Sequence, residues 1–109
     1  MLQLVIHGGA GSLEGKTAEA QNIHQSLCRI WEETFELLKN KTAEEAVIHG
    51  IRLLEDNPVF NAGTGSKLQA DGEVRMSAAL MDGVKNRFSG VINVPVSYTH
   101  LTLPTIYSV

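Results

Sequence analysis

The sequence has 109 residues, 43% of them hydrophobic, and a formal net charge of -3 at pH 7. This length suits one small domain, and the scattered lysines and arginines form no basic stripe, which argues against nucleic acid and anionic membrane as partners. No apolar run approaches the roughly 20 residues of a membrane span, and no basic segment followed by an apolar one opens the chain, so we expect a cytoplasmic protein without a membrane anchor.

The first half of the chain has the pattern of a short strand followed by two helices. Leu2–His7 is mostly apolar and predicts a strand, which the bend at Gly8 and Gly9 ends. From Thr17 to Lys39, apolar residues recur at three- and four-residue steps, which predicts an amphipathic helix. Thr42-Ala-Glu-Glu45 has the form of a capping box and begins a second helix. We expect the two helices to pack as a hairpin.

The stretch Leu53–Ser66, which we call the proline-glycine loop, is the most informative part of the sequence. The second helix of the chain should end at the start of this stretch, near Asp56. Pro58 cannot donate a backbone hydrogen bond, and it forces the residue before it out of helical geometry. Gly63 and Gly65 then allow backbone conformations and close approaches that a β-carbon would block. Such a loop leaves peptide carbonyls that need water, a buried amide or a cation as partners.

After this loop the periodicity changes to that of strands. Residues 74–80 alternate between an apolar side and a more polar side, which predicts a strand. Ala70-Asp-Gly72 predicts a turn from a shorter strand at Lys67–Gln69, and Asp82-Gly83 leads towards a third strand at Phe88–Val94. The order of elements indicates an α+β fold, with helices covering one face of a mainly antiparallel sheet.

One motif suggests a different function. AGSLEGKT, from Ala10 to Thr17, fits a loosened phosphate-binding loop, and AALMD, from Ala78 to Asp82, could pass for the Walker-B strand. The chain would then be a nucleotide-binding module that binds a magnesium nucleotide through Lys16 and Thr17. Glu14, however, would place a carboxylate inside the phosphate cradle, and the proline-glycine loop would have no role.

The remaining reactive side chains predict no catalytic or metal site. Cys28, the only cysteine, lies among apolar helical positions, so we expect a buried, inert thiol. His7 has no serine, cysteine or acid near it in the sequence that would complete a triad, and we expect a structural role. His24 and His49 lack companions at metal-ligand spacing. Glu55 and Asp56 should be ordinary solvated carboxylates.

Three motifs in order carry a resemblance to a known family: IHGGAG at residues 6–11, LEDNPVFNAGTGS at residues 54–66 and DGEVRMSAALMDG at residues 71–83. Together they closely resemble the isoaspartyl peptidase/plant-type asparaginase family of N-terminal-nucleophile hydrolases. The match runs from about Leu2 to about Val94, and RFSGVINV at residues 87–94 is similar to bacterial members. The resemblance implies the N-terminal part of an α-subunit whose complete fold is a four-layer αββα sandwich.

The resemblance also implies roles for particular residues. Gly8 and Gly9 would belong to a flexible loop beside the nucleophile, and Asn61 would support the active site. The proline-glycine loop would hold a sodium ion, with no other cofactor, through the main-chain oxygens of Leu54, Glu55, Asn57, Phe60, Ala62 and Thr64.

The residues that perform the chemistry are expected downstream of Val94. The resemblance implies self-cleavage before a threonine, which becomes the nucleophile of the new β-subunit while its free amine serves as the base. The αβ units would form a homodimer and hydrolyse β-aspartyl dipeptides and L-asparagine. A glycosylasparaginase-like hydrolase and a non-catalytic interaction domain remain alternatives. The chain alone should be inactive.

The last stretch departs from the family pattern. VSYTHLTLPTIYSV, residues 96–109, contains no acidic or basic side chain apart from a histidine, and by propensity alone it could be an edge strand. Family members continue from Pro95 through a polar turn into a helix. The stretch is similar to a translated sequencing-library adapter, so we assign residues 1–94 to the α-subunit and 95–109 to a non-native tail.

Overall fold

The computed structural model describes residues 1–95 and contains two helices, a short 3₁₀ helix and two strands. Helix α1 spans Thr17–Leu38 and helix α2 spans Ala43–Asp56. The 3₁₀ helix covers Gly63–Gly65. Strand β1 spans Arg75–Asp82 and strand β2 spans Arg87–Pro95. None of the helices described in residues 1–95 is long and apolar enough to cross a membrane.

The two helices pack against each other as the sequence predicts. Ile30 and Leu38 on α1 are buried, as are Ala46 and Gly50 on α2. The packing is tight at Gly50, where an added Cβ would lie 3.2 Å from both Cγ2 and Oγ1 of Thr34. A small residue at this point lets the helix axes come near each other.

A complete capping box fixes the start of α2. The Thr42 hydroxyl accepts a hydrogen bond from the backbone N–H of Glu45 at 3.1 Å, and the Thr42 backbone N–H donates to Glu45 Oε2 at 3.0 Å. These reciprocal bonds satisfy backbone donors that a helix start would otherwise leave unpaired. The bond from the Thr42 backbone N–H also lowers the pKa of Glu45, because it stabilises the charged carboxylate. The predicted helix start is therefore confirmed.

Strands β1 and β2 form an antiparallel hairpin with Ala78 opposite Val91 and Met81 opposite Phe88. The connecting turn is held by Asp82, whose Oδ1 accepts hydrogen bonds from the backbone N–H groups of the two residues at positions 84 and 85. A register irregularity lies between Met76 and Ala78. The strands predicted at residues 74–80 and at Phe88–Val94 are confirmed, within a few residues at their ends.

Two predicted strands are wrong. Leu2–His7 has no regular secondary structure, and neither has Lys67–Gln69, although the turn between Gln69 and Glu73 does form. A strand requires a neighbour that pairs with its backbone, and within residues 1–95 the only sheet is β1 with β2. The N-terminal segment is instead held against α1, where the Trp31 indole donates a 3.0 Å hydrogen bond to the carbonyl of Leu4.

The described residues thus form a small mixed fold of a helix hairpin and a β-hairpin. This agrees with the α+β class in its coarse form. One side of the β-hairpin contains the buried Leu80, while Met81 and Phe88 on the other side are 63% and 71% exposed. Of the predicted tail, residues 95–109, only Pro95 at the end of β2 lies in the described part of the chain.

Candidate functional site

The candidate site begins where α2 ends. Asn57, the C-cap of α2, leaves helical geometry with φ -95° and ψ 117°, as the following proline requires. Its side chain then shapes the next turn, because Asn57 Oδ1 accepts a hydrogen bond from the backbone N–H of Val59 at 3.1 Å. The sequence therefore places both the end of the helix and the start of the proline-glycine loop correctly.

Asn61 and Gly65 close the proline-glycine loop on itself. The Asn61 Oδ1 accepts a hydrogen bond from the backbone N–H of Lys67 at 2.7 Å and so spans the 3₁₀ helix. Gly65 lies directly on the preceding backbone: an added Cβ would be 2.5 Å from the Pro58 carbonyl oxygen and would overlap the Phe60 carbonyl oxygen. Only glycine fits this position without movement of the main chain.

Phe60 joins this loop to the N-terminal glycine loop, residues His7–Gly11. Phe60 is only 4% exposed, and an added Cβ on Gly8 would lie 2.9 Å from Phe60 Cε1 and 3.1 Å from Leu27 Cδ2. The two motifs, which are separated by about fifty positions in sequence, are therefore neighbours in space. A side chain at position 8 would push them apart.

The other members of the glycine loop face open space. Gly9 adopts φ +121°, a conformation that favours glycine, and an added Cβ there would meet no atom within 4 Å. The His7 side chain turns back on its own loop, where Nδ1 accepts a hydrogen bond from the Gly9 backbone N–H at 3.0 Å. The loop thus exposes backbone next to Phe60, as a loop beside a reacting group would need to do.

Several carbonyls of the predicted sodium set already accept hydrogen bonds within the loop. The oxygens of Leu54, Asn57, Phe60 and Ala62 each accept one backbone N–H at distances between 2.9 and 3.3 Å. A carbonyl oxygen has two lone pairs, so each of these can still accept a second partner. Hard, neutral oxygens of this type suit a cation such as Na⁺ better than a thiophilic metal. The sodium site stays a prediction.

Known proteins with similar sequences identify the family. A family model described as asparaginase matches residues 1–101. This chain belongs to the asparaginase family. The isoaspartyl peptidase/L-asparaginase of Nostoc sp. is 55% identical over 94 residues, which are 84% of this chain and 29% of that protein. The corresponding protein of Synechocystis sp. is 53% identical over 95 residues, 84% of this chain and 28% of that protein.

A more distant relative is similar over a shorter stretch. The plant-type L-asparaginase of Pyrococcus abyssi is 42% identical over 86 residues, 76% of this chain and 27% of that protein. The chain therefore spans less than a third of the length of these curated relatives. The family match also extends past residue 94, so it does not decide where the predicted tail begins.

Membership of the asparaginase family leaves the nucleotide-binding alternative without support. A phosphate-binding loop lies between a strand and a helix, but residues 1–13 contain no strand, and the proposed Walker-B residues lie in an antiparallel hairpin. Lys16 serves instead as the N-cap of α1, with φ -114°, ψ 60° and no side-chain capping bond.

Glu55 corrects one of the sequence predictions. The sequence predicts a solvated carboxylate at this position, but Glu55 is only 3% exposed, in the last turn of α2. Asp56, the next residue, is exposed as predicted. Buried carboxylates are held by hydrogen bonds or charge partners, and Glu55 takes part in such an interaction. The apolar periodicity of the helix gave no indication of a buried charge at this position.

Cys28 corrects a second prediction. Cys28 is exposed rather than buried. It follows Leu27 on α1, and one residue further along a helix is about 100° away from the packed face.

Ser66 is a residue that sequence reasoning missed. Its hydroxyl, at the end of the 3₁₀ helix, is buried without a hydrogen-bond partner. No sequence pattern distinguishes this serine from an ordinary loop residue.

Proposed function

We propose that the chain is the N-terminal part of the α-subunit of an amidohydrolase that cleaves β-aspartyl dipeptides and L-asparagine. The observation that carries this proposal is the identity of 55% to the Nostoc isoaspartyl peptidase/L-asparaginase over 94 residues, 84% of this chain. In this proposal the nucleophile is an N-terminal threonine, freed by self-cleavage downstream of Val94, and the chain alone is inactive.

The proposal assigns some of the groups needed for catalysis to this chain and the others to the downstream β-subunit. Amide hydrolysis needs a nucleophile, a base and donors for the developing oxyanion. The glycine loop offers main chain without side chains at Gly8 and Gly9, where the Gly9 N–H donates to His7 Nδ1 in this structure, and Asn61 holds the neighbouring loop closed. The α-amine of the downstream threonine would act as the base. The resulting β-subunit would be the partner of this chain, and two αβ units would form a dimer.

The open face of the β-hairpin supports a larger fold. Met81 and Phe88 lie opposite each other on one side of the hairpin and expose apolar surface. In the proposed four-layer αββα sandwich, a second sheet would cover such a face, and burying each side chain would contribute about 1.5 to 3 kcal/mol. Location in the cytoplasm is part of the same proposal.

A chimera tests the proposal directly. Residues 1–94 replace the corresponding segment of the Nostoc protein, and the purified product is assayed for release of aspartate from a β-aspartyl dipeptide and from L-asparagine. We expect turnover of both substrates by the chimera and none by Met1–Val109 alone. The control is the same chimera with its nucleophilic threonine changed to alanine. A folded chimera that cannot turn over either substrate would contradict the proposal, and so would turnover by the short chain.

The role of Asn61 is tested in the same chimera. Asn61→Asp keeps an oxygen that can accept the Lys67 N–H, whereas Asn61→Ala removes it. If Asn61 acts only by closing the loop, Asp should keep most of the activity and Ala should lose it. If the side-chain amide also supports catalysis, as we propose, both variants should lose kcat while the Asp variant keeps its melting temperature.

The sodium site is proposed for the same loop. Its ligands would be the main-chain oxygens of Leu54, Glu55, Asn57, Phe60, Ala62 and Thr64. Because main-chain ligands cannot be removed by substitution, the test is ion exchange: the melting temperature of the chimera is compared in Na⁺ and in tetramethylammonium at equal ionic strength. Na⁺ at ten times its dissociation constant should add about 1.4 kcal/mol to stability. Equal melting temperatures in the two salts would remove the site from the proposal.

The glycosylasparaginase-like alternative predicts a different substrate preference. The chimera would then release aspartate from N-glycosylated asparagine faster than from a β-aspartyl dipeptide. Comparison of kcat/KM for these two substrates separates the two members of the family.

A further inference from the structure

His24 and Cys28 form a pair of potential metal ligands on the exposed side of α1. Both residues are exposed, and Cys28 Sγ lies 3.6 Å from His24 Nε2. They are four positions apart within α1, so successive turns bring them to the same face of the helix. The pair lies outside both loops of the proposed active site, although Leu27, the residue before Cys28, packs near Gly8 of the glycine loop.

The distance between the two ligand atoms fits a bound ion. A tetrahedral Zn²⁺ holds a thiolate sulfur at about 2.3 Å and an imidazole nitrogen at about 2.0 to 2.1 Å, which separates the two ligand atoms by about 3.5 to 3.6 Å. At their present distance the atoms also lie within reach of an S–H···N hydrogen bond, which would hold both side chains in the positions an ion needs. Little rearrangement is therefore required for binding.

We propose that His24 and Cys28 form a two-point binding site for a thiophilic divalent ion such as Zn²⁺ or Cd²⁺. On binding, Cys28 releases its thiol proton to solvent and ligates through Sγ, while His24 ligates through Nε2 and keeps its proton on Nδ1. Within residues 1–95 no group of three or more His, Cys, Asp or Glu side chains is arranged to hold a metal ion. Water therefore occupies the other coordination positions.

Cadmium titration of Met1–Val109 tests the pair, with the ultraviolet absorption of the cadmium–thiolate bond as the readout. The matched variant exchanges two exposed side chains, His24→Asn with Asn22→His, which preserves composition but moves the imidazole off the face of Cys28. His24→Gln gives the same comparison with one substitution. Because the second ligand acts at high effective concentration, we expect either variant to bind Cd²⁺ about 100-fold more weakly than the unchanged protein.

Each outcome decides the proposal. Saturation at one ion per chain, loss of the absorption band in Cys28→Ser and weaker binding in the two histidine variants would support it. Equal affinity of the unchanged protein and both histidine variants would show that the thiol binds alone, and would overturn it. Saturation at one ion for two chains would also overturn it, because the site would then belong to a pair of molecules. Circular dichroism of each variant confirms that α1 is intact.

Discussion

Replacing Gly65 with alanine should destabilise the proline-glycine loop more than any other glycine substitution near the candidate site. The added Cβ would lie 2.5 Å from the Pro58 carbonyl oxygen and 2.9 Å from the Pro58 carbonyl carbon, and would overlap the Phe60 carbonyl oxygen. These are main-chain atoms, so relief requires movement of the backbone next to the buried ring of Phe60. Overpacking usually costs about 1 to 3 kcal/mol, and we expect the upper end, about 3 kcal/mol or more.

Urea unfolding measures the effect. With a slope of about 1 to 3 kcal/mol per molar, a loss of about 3 kcal/mol lowers the midpoint by about 1 to 3 M. Gly11→Ala is the matched control, because an added Cβ there meets no atom within 4 Å; it should be neutral or stabilising by up to about 1 kcal/mol. Gly8→Ala should fall between them, since the atoms it meets belong to side chains that can shift. A Gly65→Ala midpoint equal to that of Gly11→Ala would refute this reasoning.

Three further predictions concern polar groups. Thr34 is 1% exposed and its hydroxyl has no partner, so Thr34→Val should raise the free energy of unfolding by about 1 kcal/mol; a decrease would contradict this. Thr42→Ala should shorten α2 and cost about 1 kcal/mol, and an unchanged helical signal in circular dichroism would argue against the capping role. The pKa of Asp71 is held below its ordinary value of 3.8, first by the hydrogen bond from the backbone N–H of Glu73 and then by Arg75. The contribution of Asp71 to folding stability is therefore complete above pH 3.8 and is lost as the pH falls through the pKa of the folded state. Asp71→Asn should flatten this part of the acid unfolding curve, and an identical curve would speak against it.

The elements predicted correctly are those with local causes. Helix α1 follows from apolar spacing, and α2 begins at a capping box and ends before Pro58, so its limits depend on neighbouring residues alone. The strand predicted at Leu2–His7 fails because strand formation depends on a pairing partner, which the segment's own sequence does not specify. Apolar alternation indicates that a segment can form a strand, but a sheet also needs a second strand whose backbone pairs with it.

The candidate site was predictable in its motifs but not in its contacts. The glycine loop and the proline-glycine loop are recognisable in sequence, yet nothing in either predicts that Phe60 lies against Gly8. The burial of Glu55 and the exposure of Cys28 do not follow from the sequence, because apolar spacing gives the direction of a helix's packed face but not how far that face extends. Tertiary neighbours decide those positions.

The described residues differ in how far they can support their own structure. The helix hairpin and the proline-glycine loop share a buried core, with Phe60 next to the N-terminal glycine loop and the loop closed by Asn61. The β-hairpin has only two strands, and a two-stranded sheet is marginally stable in water unless something packs on it. Leu80 supplies burial on one face, whereas Phe88 on the other face remains exposed. The geometry of the two loops therefore depends chiefly on the helices, and that of the hairpin depends on whatever covers its apolar face.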